Sequence, residues 1–312
     1  MKTFFRTLIV STMTLTMLCF VSCGTKEKRP QADQSLLLLE QLEAYNAQFV
    51  GSAIQTRGVL RFIAVTSADV MGAYEMGKIG AEIGLYFGLV DGAIIGAGIG
   101  GAIGAVGASY VAYKGTGNTA VVPNSDSAID SENAWDPLED LEELEEAMYS
   151  AEAEDLIPDL NEIVDTLGLY VPQDFKSSIQ LALIHNAILD KVINKDNDSL
   201  IIEENYLTEN EKNIIYSDTY ISKYSSLVSK IKSLSPNEYI TGIGLEDRIM
   251  ALFLNIFNTE VGNTEDLISI INAYGEKIER SDELTMNEKT WIYNGLCVAA
   301  YSYEYWSKKL DQ

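Results

Sequence analysis

The chain has 312 residues, of which 47% are hydrophobic, so it is long and apolar enough to form a sizeable core. Its 22 Lys and Arg against 46 Asp and Glu give a formal net charge of −24, which argues against a nucleic-acid partner. One His and three Cys are too few for a zinc finger or a disulfide framework, so we expect no metal and no cofactor.

The first 22 residues have the pattern of a secretory signal peptide. A positively charged start precedes an apolar stretch from Leu8 to Phe20, which is too short to span a bilayer comfortably. The stretch ends in the letters FVSC, which resemble the lipobox of bacterial lipoproteins, although that pattern prefers Leu at the position of Phe20. The resemblance implies lipidation of Cys23 and an envelope protein anchored to the outer membrane or cell surface. Ordinary signal cleavage nearby is the alternative.

A glycine repeat with a period of four dominates the next part of the chain. Residues four apart lie on one face of a helix, so the repeat predicts a stripe of small residues opposite a bulky one. Glycine weakens a helix by about 0.8–1.0 kcal/mol relative to alanine, so this regular spacing indicates that a second helix approaches closely, in a membrane or an oligomer. The glycines of the repeat are Gly80, Gly84, Gly88, Gly92, Gly96, Gly100 and Gly104.

The segment Gly92–Tyr113 is uncharged and 22 residues long, which meets the length of about 20 residues required of a transmembrane helix. Tyr110, at the end of the segment, and the following Lys114 have the arrangement of an interfacial anchor. Glu82 and Asp91 interrupt the upstream half. We therefore expect one spanning segment or a bent hairpin that inserts conditionally. A tightly packed helical hairpin inside a soluble domain is the alternative.

The stretch Gly72–Tyr113 resembles the glycine-zipper segments of two bacterial groups. These are outer-membrane lipoproteins, which also begin with a lipobox, and bacteriocin-like pore-forming toxins. The resemblance implies a lipid bilayer as partner and homo-oligomerisation through the zipper. The segment Gly96–Gly101 also matches GxGxxG, but no strand precedes it and no acidic residue follows at about 20 positions, so no dinucleotide site is expected.

The remaining chain predicts further helices. Frequent Gly, Pro, Asn and Ser indicate a linker, and an acidic amphipathic helix follows it. No run alternates like a strand, so the predicted fold class is all-α, with a glycine-zipper helix or helical hairpin and a C-terminal helical bundle. The predicted helices cover Lys176–Val192, Arg248–Phe257, Asn263–Tyr274 and Thr285–Trp306, with capping boxes at Thr208–Glu211 and Thr285–Glu288, a helix start at Pro236 and a turn at Gly242 and Gly244.

These signals divide the chain into five regions. Residues 1–22 are the signal peptide, 23–57 a tether with a first helix, and 58–114 the glycine-zipper region. Residues 115–137 are the linker, and 138–312 contain the acidic helix and the C-terminal helical domain.

Catalytic motifs are absent from the sequence, so we expect a protein that is not an enzyme. His185 lies on an apolar helix beside Asn186, where a general base is one interpretation and a satisfied core histidine the commoner one. Cys297 has apolar neighbours and is expected to be structural. Core packing is also the default for the aromatic residues of the last helix, and an exposed remainder would bind a glycan, a lipid headgroup or a receptor.

Two arginines precede the zipper and suggest a processing site. Arg57 and Arg61 are the only arginines between Arg29 and Arg248. Cleavage there would separate Cys23 from the zipper and release a membrane-active fragment, whereas ordinary surface arginines are the alternative.

The leading functional prediction is a lipid-anchored, bacteriocin-like toxin that forms pores through its zipper. A non-enzymatic structural or oligomerising envelope lipoprotein is the close alternative. A binding module built on the aromatic C-terminal helix is a third class.

Overall fold

A computed structural model describes residues 32–49, 57–86, 90–117, 165–193, 213–232, 240 and 242–310. Within these residues there are nine α-helices and no strand, which confirms the all-α prediction. The predicted signal peptide, Cys23, the acidic helix and most of the linker lie outside the described residues. The predicted capping box at Thr208 and the helix start at Pro236 lie outside them as well.

The helices are numbered here in chain order. They are α1 Ala32–Asn46, α2 Arg57–Met71, α3 Gly77–Tyr86, α4 Val90–Gly117, α5 Ser177–Ile193, α6 Asp218–Lys232, α7 Leu245–Glu260, α8 Thr264–Arg280 and α9 Met286–Leu310. A π-helical turn, Gly72–Met76, joins α2 to α3, and a short 3-10 turn, Gln173–Phe175, precedes α5.

Local sequence signals set several of these helix starts. The Asn263 side chain accepts the backbone N–H of Asp266 at 2.9 Å and caps α8. At α9, Thr285 Oγ1 accepts the N–H of Glu288 at 3.3 Å, and Glu288 Oε2 accepts the N–H of Thr285 at 2.7 Å. This reciprocal pair confirms the capping box predicted there. Helices α5, α7, α8 and α9 confirm the four C-terminal helices predicted from periodicity.

The glycine-rich region forms a helical hairpin. We call α2, the π-helical turn and α3 the first arm, α4 the return arm, and both together the glycine hairpin. A Cβ on Gly72 would meet Gly104 and Ala105, and one on Gly80 would meet Gly96. Because the contacts move back along the return arm as the first arm advances, the two arms are antiparallel.

The glycine hairpin shares one hydrophobic core with the C-terminal helices. Trp306 of α9 stacks on Tyr113 of the return arm with ring centroids 5.2 Å apart. Phe62 of the first arm meets Tyr303 of α9 edge to face at 4.2 Å. The predicted zipper region and the predicted C-terminal region are therefore packed against each other.

Helix α1 belongs to the same core. Its buried leucines are part of this hydrophobic core. Asn46 Nδ2 donates to the backbone oxygen of Leu252 in α7 at 3.1 Å. Tyr274 of α8 donates its hydroxyl to Asn46 Oδ1 at 2.9 Å. The buried leucines of α1 are Leu38, Leu39 and Leu42.

Candidate functional site

Two glycines bring the backbones of the hairpin arms into contact. A Cβ on Gly80 would lie 2.0 Å from the carbonyl oxygen of Gly96, and a Cβ on Gly96 would lie 2.1 Å from that of Gly80. A side chain at either position would thus overlap with backbone atoms of the opposite arm. The close approach of a second helix is confirmed, and in this structure that helix is the other arm of the same chain. Oligomerisation through these faces stays a prediction, and it requires the hairpin to open.

Other glycines of the return arm receive side chains from the surrounding helices. Tyr220 of α6 donates its hydroxyl to the carbonyl oxygen of Gly100 at 2.7 Å. A Cβ on Gly107 would lie 1.9 Å from the hydroxyl oxygen of Tyr224, also on α6. Gly101 faces α5, and a Cβ on Gly101 would lie 3.0 Å from the Leu181 side chain of that helix. The return arm is therefore covered by the first arm, α5, α6 and α9.

Not every glycine of the predicted repeat can be placed in this way. Gly104 faces Met76 of the first arm, and Gly84 is buried. Gly88 lies outside the described residues, and the surroundings of Gly92 are not described. The GxGxxG match at Gly96–Gly101 lies within a continuous helix and not at a helix start, in keeping with the expectation that no dinucleotide binds.

The uncharged segment predicted to span a membrane lies within α4. From Gly96 onward its side chains are buried or half-buried against the hairpin and the bundle. In the parts of the chain that the structure describes, no helix combines the length and the apolar character needed to cross a bilayer.

A group of polar residues, here called the lysine cluster, ties the first arm to α7. It consists of Tyr74, Lys78, Glu246 and Asp247. Lys78 Nζ lies 2.9 Å from Glu246 Oε1 and 3.0 Å from Asp247 Oδ1. The Tyr74 hydroxyl donates to Asp247 Oδ1 at 2.7 Å. Lys78 also lies 5.3 Å from the ring centroid of Trp291, which extends the contact to α9.

Electrostatics keeps the lysine cluster charged. Burial alone would raise the pKa of Asp247, but hydrogen bonds from Tyr74 and Lys78 outweigh it and lower that pKa. Burial opposes the charge of Lys78, yet its bonds to Glu246 and Asp247 raise its pKa overall. Burial and the Asp247 carboxylate raise the pKa of Tyr74, so its phenol remains a donor. The cluster is a part-buried group of one lysine between two carboxyl groups, with Tyr74 as an additional neutral donor.

A second group, here called the histidine cluster, ties the first arm to α5 and α9. It consists of Asp69, His185, Asn186, Ser302 and Trp306. His185 Nε2 lies 2.9 Å from Asp69 Oδ1, and Trp306 Nε1 donates to Asp69 Oδ2 at 2.9 Å. Ser302 donates its hydroxyl to the same Oδ2. Asp69 and His185 are fully buried, so His185 has the bonded, core environment of the commoner interpretation.

The other singled-out residues of the C-terminal domain also lie in or beside the core. Cys297 is a buried free thiol, and burial raises its pKa, as expected of a structural cysteine. Two aromatic residues of α9, Trp291 and Tyr305, keep partial exposure. The remaining four are buried, and they are Tyr293, Tyr301, Tyr303 and Trp306.

The two candidate processing residues lie at the beginning of the first arm. Arg57 is the first residue of α2, and Arg61 lies one turn further along. Their side chains are outside the described part of the structure. Processing at either position stays a prediction.

The sequence analysis did not single out Asp69 or Lys78, the charged residues of the first arm in the two polar clusters. Both had a detectable signal. Asp69 is an isolated acid in an apolar run, and Lys78 is the only basic residue between Arg61 and Lys114. Their partners are 116 to 237 residues away along the chain, so no local spacing points to them.

A shallow cleft lies between α1 and the turn that joins α8 to α9. Its volume is about 360 Å³, and its walls include Leu37, Lys277 and Arg280. Glu283 accepts the backbone N–H of Leu38 at 3.3 Å, and burial raises the pKa of this carboxyl group.

The described residues contain no group of His, Cys, Asp and Glu arranged to hold a metal ion. Comparison of the chain with family models, curated proteins and solved structures gives no match.

Proposed function

We propose that this protein is an exported, lipid-anchored, membrane-active protein of the bacteriocin-like, pore-forming type, stored in an inactive form. Cys23 is the proposed lipidation site, and the glycine hairpin is the proposed membrane-active element. The observation that carries this proposal is the central position of a glycine-rich return arm, whose segment Gly92–Tyr113 carries no charge and packs against the first arm and the C-terminal helices. Enclosure of this kind keeps a membrane-active segment from water until it is released.

The contacts between the arms support movement of the hairpin as one unit. Gly80 and Gly96 place the two backbones in direct contact, and small residues at such an interface retain their packing in lipid. The first arm is tied to the bundle by the lysine and histidine clusters. Release of the hairpin would therefore require both clusters to separate, with Asp69 and Lys78 leaving their partners.

A structural envelope lipoprotein is the second candidate, and one observation favours it. The faces of Gly80, Gly96, Gly100 and Gly104 are already occupied within the chain, so these described positions need no second copy to cover them. In this case the glycines serve only to build a compact domain. The lipid anchor at Cys23 is common to both candidates.

Dye release from vesicles distinguishes the two candidates if the hairpin can be locked reversibly. Ser67 of the first arm donates to Asn258 Oδ1 of α7 at 2.6 Å, so these two side chains meet directly, and we choose this pair for an engineered cystine. The chain from Gly24 onward, which retains every described residue, would carry Ser67→Cys and Asn258→Cys. Its native Cys297 is buried and should remain reduced.

We expect contact with phosphatidylethanolamine and phosphatidylglycerol vesicles to release the hairpin of the reduced protein, which then releases dye, whereas the oxidised protein should release little. The two single-cysteine variants are the controls, and they should behave alike under both conditions. Equal leakage before and after oxidation would contradict hairpin release as the cause. Absence of leakage from folded, vesicle-bound reduced protein would favour the structural lipoprotein.

A further inference from the structure

The hydrogen bonds around His185 determine where its protons lie. The side-chain amide of Asn186 has two donor hydrogens on Nδ2 and an acceptor on Oδ1. One amide atom lies 2.9 Å from the backbone oxygen of Tyr301, and the other lies 3.0 Å from His185 Nδ1. A backbone carbonyl only accepts, so Nδ2 must face Tyr301. The reverse orientation would bring two acceptor oxygens together at 2.9 Å.

With the amide in that orientation, His185 Nδ1 faces an acceptor. Oδ1 of Asn186 has no proton to donate, so the bond at 3.0 Å exists only if Nδ1 carries hydrogen. The first ring nitrogen is therefore a donor.

The second ring nitrogen faces a carboxylate. His185 Nε2 lies 2.9 Å from Asp69 Oδ1. The other oxygen, Oδ2, accepts from Trp306 Nε1 at 2.9 Å and from the hydroxyl of Ser302. An indole nitrogen only donates, and two donors on one oxygen favour the ionised form of the carboxyl group. The proton between Asp69 and His185 then belongs to the ring.

We infer that His185 is a doubly protonated imidazolium in the folded protein, and that with Asp69 it forms a buried, proton-dependent latch on the first arm of the hairpin. The latch joins α2 to α5 directly and to α9 through Ser302 and Trp306. This inference stands on hydrogen bonds alone and does not depend on membrane activity.

Two further acids accept from tyrosines of α9. Tyr301 donates its hydroxyl to Asp165 at 3.1 Å, and Tyr305 donates to Asp190 at 3.1 Å. Burial and both Asp190 and Asp69 raise the pKa of Tyr305, which keeps that phenol neutral. Further titratable groups on these helices include Tyr113 of α4 and Tyr303, Glu304, Lys308 and Lys309 of α9. Lys308 pairs with Glu304 at 2.7 Å, and Lys309 pairs with Asp190 at 3.1 Å.

Loss of the ring proton would weaken the latch. It would leave a fully buried Asp69 carboxylate opposite a neutral ring, and an unpaired buried charge is strongly unfavourable.

Nitrogen NMR of the single histidine tests the inference directly. The full chain has one His, so ¹⁵N-histidine labelling gives one pair of ring signals without ambiguity. At about pH 8, where a solvent-exposed imidazole is mostly neutral, we expect both ring nitrogens to show the shifts of protonated nitrogen. The urea-unfolded chain provides the neutral reference. One unprotonated ring nitrogen in the folded chain would overturn the inference.

Two variants identify the counter-ion. Asp69→Asn removes the negative charge at nearly constant size, and its ring should lose one proton at the same pH. Ser302→Ala removes a hydrogen bond to Asp69 but keeps the charge, and its ring should stay doubly protonated. A folded Asp69→Asn chain that retains both ring protons would overturn the role of Asp69. If that variant does not fold, the spectrum of the native chain still decides the protonation of His185.

Discussion

Asp247 is the residue on which the lysine cluster depends. It accepts from Tyr74, from Lys78 and, through Oδ2, from the backbone N–H of Gly244 at 3.0 Å. A Cβ on Gly242 would lie 1.9 Å from the same Oδ2, so the glycines before α7 allow the carboxylate to lie against the backbone. The turn predicted at Gly242 and Gly244 thus also shapes this ion pair.

Replacement of this carboxylate should reduce stability markedly. We expect Asp247→Asn to lower the free energy of unfolding by about 2–4 kcal/mol, because Lys78 and Tyr74 lose a charged acceptor in a buried site. Urea unfolding at neutral pH is the measurement. The exposed Glu276, which pairs with Arg280 at 3.4 Å, provides the control, and Glu276→Gln should change stability by less than about 0.5 kcal/mol.

The loss of stability expected for Asp247→Asn should also depend on pH. The pKa of Asp247 is lower in the folded protein than its usual value of 3.8, so its contribution is present above that value. It is lost as pH falls through the lower, folded pKa. The stability difference between the native chain and Asp247→Asn should therefore disappear in strong acid. A difference that persists there would show that the variant acts through packing and not through charge.

Glu75 is predicted to destabilise the folded state at neutral pH. Burial raises its pKa above 4.5, although Lys78, Lys223 and Lys230 partly offset this effect. The folded state therefore binds this proton more tightly, and stability falls as pH rises from the unfolded toward the folded pKa. Glu75→Gln should raise the Tm by about 1–3 °C at neutral pH and leave it unchanged below about pH 4. A lower Tm at neutral pH would contradict this reading of Glu75.

At the scale of the element, two neighbouring glycines of the return arm have opposite roles. Gly96 touches the backbone of the first arm, whereas a Cβ on Gly98 would have no atom within 4 Å. Gly96→Ala should destabilise the protein by about 2–3 kcal/mol, since the arms must separate. Gly98→Ala should stabilise it by up to about 1 kcal/mol, because alanine is the better helix former. Thermal unfolding of both variants is the test, and equal effects would contradict the backbone contact.

The period-four glycine repeat predicted only part of the structure of the glycine hairpin. It correctly predicted the close approach of a second helix, because small residues on one face of a helix allow another backbone to come into contact. It could not distinguish a second chain from a second arm, since glycines have no side chain that specifies a partner. One practical consequence concerns substitutions such as Gly96→Leu and Gly100→Leu. They would disrupt the folded domain, so they are unsuitable as tests of membrane association.

The starts of α8 and α9 were predictable to within one residue because their signals are local, whereas the predicted ends at Tyr274 and Trp306 fall short of the observed Arg280 and Leu310. The capping box at Thr285 and the cap at Asn263 involve residues three positions apart. The two polar clusters were not predictable, because their members meet only after the chain has folded. His185 illustrates the difference: its apolar helix was evident, but its partner Asp69 lies on the first arm.

At the scale of the whole molecule, α1 closes the core where it packs against α7 and α8. It contributes Asn46, which bridges α7 and α8, and three buried leucines, each worth about 1.5–3 kcal/mol when fully buried. Its only covalent link to the remaining described helices runs through the segment before Arg57. Cleavage at Arg57 would therefore do more than detach the lipid anchor, since it would also turn α1 into a separate peptide.

We accordingly expect proteolysis at Arg57 to destabilise the domain and not merely to release it. A chain beginning at Gly58, without α1, should show a Tm lower by about 5 °C or more than the chain beginning at Gly24, because the α1 leucines no longer cover α7 and α8. Adding back a peptide spanning 32–49 should restore part of the difference. Arg57→Lys in the longer chain is the control for the change at the cleavage site and should leave the Tm unchanged. Equal Tm values for the two chains would contradict a stabilising role for α1, and cleavage would then act on anchoring alone.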